Sequence, residues 1–217
     1  MSYTTNNAVA QVKARLAEHA NTTVAALETG TGGAATIAND AQIVIFLTEG
    51  ARELVKQGVL DLWGDATYTV PIGTKKALFT SFTMTTTGQV FWRPTGASWN
   101  SNPIQVCDRR WYEVHNPTID SDATATPERV YPDIDGVLLA PRPSAAQVLR
   151  LSGLVLPRDQ VAGANVYDVP DHLVPAMIYW AAWQVATKQA GRSEALAAVA
   201  PAMEAAWLRA IGKEPQA

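Results

Sequence analysis

"GVLLAPRPSAAQVLRLSGLVLP", residues 136–157, is the stretch whose reading decides the fold. Its two apolar runs, 137–140 and 147–156, have strand composition, and "PRPSAA" between them reads as a turn, because proline cannot donate to a sheet ladder. In the second run Leu149, Leu151 and Val155 share one face and Arg150 and Ser152 the other. That is the period-2 pattern of a strand with one side on a core. The stretch therefore reads as a regular β-ribbon with few reactive side chains. Asp135-Gly136, just before it, is a two-residue hairpin signal, since both positions accept positive φ.

Upstream, the period-2 signal extends back to about Thr67. "TYTVPIG" (67–73) and "KKALFTSFTMTTTG" (75–88) are rich in Thr and aromatics, as pleated surfaces prefer. "QVFWRP" (89–94) reads as a short strand and "TGASWNSNP" (95–103) as a loop carrying an exposed Trp99. "RRWYEVHNP" (109–117) reads as a short helix or strand before a polar turn.

Outside this region the period becomes helical. Val9, Val12 and Leu16 mark a first helix over 7–20. The Thr/Gly-rich stretch 21–38 reads as a flexible arm; its GTGG lacks the GK[ST] of a phosphate loop. Ile43, Phe46, Leu47, Gly50, Ala51 and Leu54 form one stripe of a helix over 40–58, capped by Asn39 or Asp40 and stopped by Gly58. Gly50 and Ala51 on that stripe invite close approach of another helix. Asp171 is the expected cap of a helix over 171–190, with Leu173, Met177, Trp180, Ala181 and Gln184 aligned. Ser193 is the expected cap of a last helix over 193–212, which Pro201 is expected to kink or interrupt. The expected fold is α+β: a helical bundle from N- and C-terminal helices with an inserted antiparallel β region over 67–156. Residues 1–38 form a helix and arm, and 39–217 the main domain.

The chain has 217 residues and a net charge of −3 from 17 basic and 20 acidic residues. That balance argues against a nucleic-acid binder, which needs a basic face. A single cysteine, Cys107, excludes an intramolecular disulfide and CxxC metal sites. The N-terminus has no secretory h-region, and no apolar run is long enough for a transmembrane helix. Only 17% of residues are charged while seven are tryptophan, a balance that suits surface buried against partners as well as an aromatic core.

Catalytic chemistry is not readable. His19, His115 and His172 form no zinc motif. Cys107 with His115 has no activating context, and no GxSxG elbow is present. Asp120, Asp122, Asp133 and Asp135 form a loose acidic group without the order of a calcium loop and read as turn formers. Trp92, Trp99 and Trp111 suit packing or protein contact better than a sugar platform. No catalytic residue, metal ligand or cofactor is expected.

In this order the segments resemble the tailed-bacteriophage head-to-tail adaptor (connector) protein family, from about Asn39 to Ile211. The resemblance rests on "LTEGARELVKQG", "TYTVP", the 128–157 stretch beginning "ERVYPDIDG", and the helix pair that opens with "YDVPDHLVPAM". It implies a virion neck protein, made in the host cytoplasm, that is not an enzyme. The implied assembly is a dodecameric ring of identical chains beneath the portal protein, lining the channel for genomic DNA without sequence-specific binding or a membrane. The segment from Trp207, with Leu208, Ile211 and Lys213, would meet the portal. Trp92, Trp99 and Trp111 would face tail or nozzle proteins or a neighbouring subunit. The alternative reading is a virion-associated carbohydrate-binding or cell-wall hydrolase protein using Glu113 or the 120–135 aspartates. A small DNA-binding protein is a third.

Overall fold

The computed structural model describes residues 3–21, 23–25, 39–108, 110, 124–191 and 194–213. The chain divides into two compact units, one of residues 1–60 with 157–217 and one of residues 61–156.

The first unit holds the helices α1 (Thr5–His19), α2 (Asp40–Lys56), α3 (Val174–Gln189) and α4 (Glu194–Ala210). Thr4 caps α1 by accepting the Asn7 N–H at 3.2 Å. Asn39 caps α2 in a full capping box with Gln42, which satisfies two otherwise orphaned donors. All six residues of the α2 stripe are buried, as its period requires. α3 packs against α1, α2 and α4. It therefore buries a broad face, Val174, Met177, Ile178, Ala181, Ala182 and Val185, wider than a single stripe. Gly50 is where α2 approaches α3: a Cβ there would lie 2.8 Å from Trp180 Cδ1 and 3.1 Å from the Met177 carbonyl oxygen. α2 and α4 end alike. Gly58 (φ +69°) and Gly212 (φ +74°) follow the C-caps, and paired 6→1 and 5→2 bonds close each end.

Two helix expectations are corrected. Asp171 does not cap α3, which begins at Val174 with Pro175 in its first turn, where a missing donor costs little. Pro201 does not interrupt α4, which runs through it. Both Pro201 and Ala197, whose carbonyl loses its donor, are exposed, so water can satisfy that oxygen. Ser193 lies outside the described residues.

Residues 157–168 of this unit are irregular but pinned by polar groups. Gln160 is 4% exposed. Its amide donates to the carbonyls of Arg158 and Tyr167 and accepts from the Tyr167 N–H, while its own N–H donates to Thr48 Oγ1 on α2. Arg158 makes a forked pair with Asp168 and lies 4.4 Å from the Tyr167 ring centroid. Arg52 on α2 reaches Asp159 at 2.8 Å.

The second unit is β-structure: β1 (Trp63–Val70), β2 (Lys76–Leu78), β3 (Thr83–Met84), β4 (Val90–Trp99), β5 (Asn102–Val106), β6 (Thr124–Ala125), β7 (Arg129–Pro132), β8 (Gly136–Ala140), β9 (Arg142–Pro143) and β10 (Gln147–Leu156). Eight strands form one sheet in the order β2-β8-β7-β5-β4-β10-β1-β3, and β6 pairs with β9 separately. The β5–β7 and β6–β9 pairs are parallel; the others are antiparallel. Only residues 79–82 separate β2 from β3, the two end strands, so the sheet curls back on itself. Ala66, Val70, Ala77, Phe82, Phe91, Trp99, Val130, Val137, Leu139, Leu149, Leu151 and Val155 fill one core inside the curl.

This arrangement overturns the expected fold class. The β region is not a small antiparallel insertion in a helical bundle; it is a large, mixed, curled eight-stranded sheet with its own core. The ribbon over 136–157 is also corrected. β8 pairs with β2 and β7, β10 pairs with β1 and β4, and the two never pair with each other. β8 turns back on β7 through 133–135, as the Asp135-Gly136 signal suggests, and takes β2 as its other neighbour, while β10 takes the distant β1 and β4; alternation fixes a strand's buried face and leaves its neighbour open.

Candidate contact surfaces

One surface is built on the outer face of β1, β10 and β4. Leu151 and Val155 point into the core, so Leu154 points outward, and its cross-strand partners are Trp63 on one side and Arg93 on the other. Val90 pairs with Leu156 one step along. The register shifts twice: Thr95 and Trp92 are each an extra β4 residue, inserted between Gly153/Ser152 partners and between Leu154/Val155 partners. Such bulges turn side chains away from the regular pleat. Trp63, Val90 and Trp92 are 62%, 45% and 46% exposed, and Arg93 is exposed beside them. Farther along this face the surface is polar: a shallow depression is lined by Gly96, Ser98, Ser152 and the Asp65–Arg150 ion pair (3.0 Å).

A second surface is the β7–β8 turn, 133–135. Ile134 is 97% exposed at its tip, and Leu78, paired with Gly136, is exposed next to it. The turn is held from below. The Asp133 N–H donates to the Gly136 carbonyl at 2.8 Å, and Lys76 Nζ lies 2.7 Å from Asp133 Oδ2 while also meeting Asp135 Oδ1. Two carboxylates thus share one ammonium. The hydrogen bond to Asp133, then that to Asp135, raise the Lys76 pKa above its ordinary 10.5. A raised pKa means this contribution to stability is complete below pH 10.5 and is lost as pH rises through the folded value. Lys76→Met should therefore flatten the alkaline limb of the stability–pH curve, read as urea midpoints at stepped pH; identical limbs in both proteins would refute the linkage.

The residues singled out from sequence are scattered. Trp92 is exposed on the first surface. Trp99, expected on an exposed loop, is instead 4% exposed at the end of β4 inside the core; the residues read as a loop over 95–103 are the end of β4, a two-residue turn at Asn100-Ser101 and the start of β5. Trp111 lies outside the described residues. Trp207 is buried against the half-buried Trp180 and Trp183, its ring edge-on to the first at 4.7 Å and stacked on the second at 5.8 Å. Ile211 is buried too, Leu208 is half-buried, and Lys213 is exposed with its ammonium on Gln57 Oε1. Sequence reasoning missed Trp63, because the β signal was started at Thr67. It missed Ile134 as well, although a lone isoleucine at the tip of a predicted hairpin turn was a readable sign of exposure.

Asp133 and Asp135 are engaged by Lys76, and Glu113, His115, Asp120 and Asp122 lie outside the described residues. Cys107 packs beside Tyr131, Leu138 and Ala140. Among the described residues, no group of three or more His, Cys, Asp or Glu side chains is placed to hold a metal, and no helix is long and apolar enough to cross a membrane.

The prominent features of the β unit are thus exposed apolar patches on a curled sheet. The family model of the SU10 adaptor protein matches residues 6–217, and the chain belongs to that family. It is accordingly a bacteriophage adaptor, a structural component of the virion that assembles with other head and tail parts. A search of curated proteins found no match.

Proposed function

We propose that the chain forms a dodecameric ring in the virion neck, between the portal protein and the tail, and lines the channel through which the genome passes. The observation that carries this is the family match over nearly the whole chain, 6–217. Physical chemistry supports it. A closed ring of identical chains needs two different faces on each subunit, and the β unit carries two separate exposed apolar surfaces. With a net charge of −3, each copy adds weak acidity, which lets DNA phosphate slide rather than adhere. The segment from Trp207 onward meets the portal. Leu208 and Lys213 are its accessible members, since Trp207 and Ile211 are buried in their own unit. The β unit meets tail or nozzle proteins and neighbouring subunits. No catalytic step or cofactor belongs to this role.

Particle imaging of the purified chain, alone and mixed with its portal, tests the reading. Twelve-fold rings, or portal particles gaining a layer of density, are expected. A chain that stays monomeric and never binds the portal would overturn it.

A further inference from the structure

Leu78 and Ile134 sit on and beside β2 and β8; Trp63, Leu154 and Arg93 sit on β1, β10 and β4. Counted around the curl, β8 and β10 are four strands apart in either direction. The two apolar surfaces therefore lie on opposite sides of the same rigid sheet. They differ in shape and in charge. The turn is a narrow knob, one fully exposed isoleucine on a base of two carboxylates and one ammonium. The outer face of β1, β10 and β4 is a broad platform, with Trp63 and Trp92 either side of Leu154 and Arg93 supplying a positive charge. The Asp65–Arg150 pair beyond it is internally neutralised.

The geometry points to a head-to-tail contact between copies of this chain, in which the Ile134 knob of one seats on the Trp63–Trp92 platform of the next, with Asp135 facing Arg93. The occupant is a second copy because the two exposed apolar patches carry opposite charges, the exposed Asp135 carboxylate at the turn and the exposed Arg93 guanidinium on the platform, and one chain carries both on opposite sides. Such a pairing cannot be satisfied within one copy and propagates around a ring. Tryptophan and arginine are the residue types that anchor interfaces, and a pair of exposed tryptophans on one sheet face is costly in water. The platform alone is smaller than the ~800 Å² per partner of a stable contact, so it forms the central anchor with further surface around it. This inference rests on the ring reading and assigns residues to its subunit contact.

The test is disulfide trapping in the full chain carrying Cys107→Ser, with Ile134→Cys and Val90→Cys together or singly. The double variant should give a ladder of reducible oligomers under oxidation, and each single variant none. In parallel, Ile134→Asp should reduce assembly roughly tenfold or more at fixed concentration with an unchanged melting curve. Parent rings that persist while the double variant gives no ladder, or Ile134→Asp rings as abundant as the parent's, would overturn this contact and leave the ring reading intact. A ladder from Ile134→Cys alone would indicate tip-to-tip pairing and overturn it as well. Failure of the parent to assemble, alone or on portal, would bring down both.

Discussion

Gly153→Val should unfold the β unit at markedly lower denaturant than the parent while the helical unit keeps its own transition. Gly153 sits on β10 opposite Pro94, between the two places where β4 carries an extra residue. A Cβ there would lie 2.3 Å from the Arg93 carbonyl oxygen, 2.8 Å from Pro94 Cα and 2.9 Å from the Thr95 nitrogen. All three are backbone atoms, so no rotamer change relieves the overlap. β4 must pull away from β10, breaking the ladder between the bulges and opening the core at Leu151 and Val155. Overpacking of this kind costs about 3 kcal/mol, at the upper end of its usual range. Urea unfolding followed by tryptophan fluorescence and by near-UV circular dichroism measures it. Gly191→Ala is the control: open space surrounds that position, and no change beyond about 0.5 kcal/mol is expected. If the two variants unfold at the same midpoint, the close packing of β4 on β10 is wrong. The same substitution should also displace Trp92 and Arg93, and with them the platform.

Gln160→Leu should have a comparable effect on the other unit. The side chains are similar in size, so packing is nearly kept and hydrogen bonding is what changes. The glutamine amide serves the carbonyls of Arg158 and Tyr167 and the Tyr167 N–H from a position 4% exposed. Leucine leaves these backbone groups without their partner in a region partly shielded from water. At about 1–3 kcal/mol for each stranded group, discounted because water reaches some of them, the loss should be about 3 kcal/mol. The readout is the helical unit's midpoint, with amide exchange at Tyr167 as the local reporter. Protection at Tyr167 that survives the substitution would show the network to be dispensable. Gln160→Glu separates geometry from chemistry: it keeps the shape and one acceptor, removes the donors to two carbonyls and adds a buried charge, so it should be at least as damaging as leucine.

Sequence legibility followed the range of the interactions. Period 3.6 along Ile43–Leu54, the Asn39 cap and the Gly58 stop are local, and α2 formed with all three. The faces of β10 were equally local: Leu149, Leu151 and Val155 are fully buried, as their alternation requires. The Asp171 cap did not form, since α3 begins at Val174 after Leu173. Pro175 and Pro201 both took positions their surroundings tolerate, one in a first turn and one on an exposed face.

The sequence by itself therefore determined where the chain is helical, where it is extended, which residues of each segment seek a core, and, through the order of those segments, the adaptor family. Tertiary structure alone decided strand partnership and so the contact surfaces. It sent β8 and β10 to opposite sides of one curl, closed the sheet through residues 79–82, buried Trp99 and left Trp63 outside. The physical reason is that a strand's alternation records which side faces apolar surroundings, whereas its neighbours are chosen by contacts between residues far apart in the chain. A tryptophan's exposure depends on those neighbours. Trp92, Trp63 and Trp99 look alike in sequence: Trp63 faces outward because β1 pairs it with the outward Leu154, and the bulged register of β4 on β10 separates the buried Trp99 from the exposed Trp92.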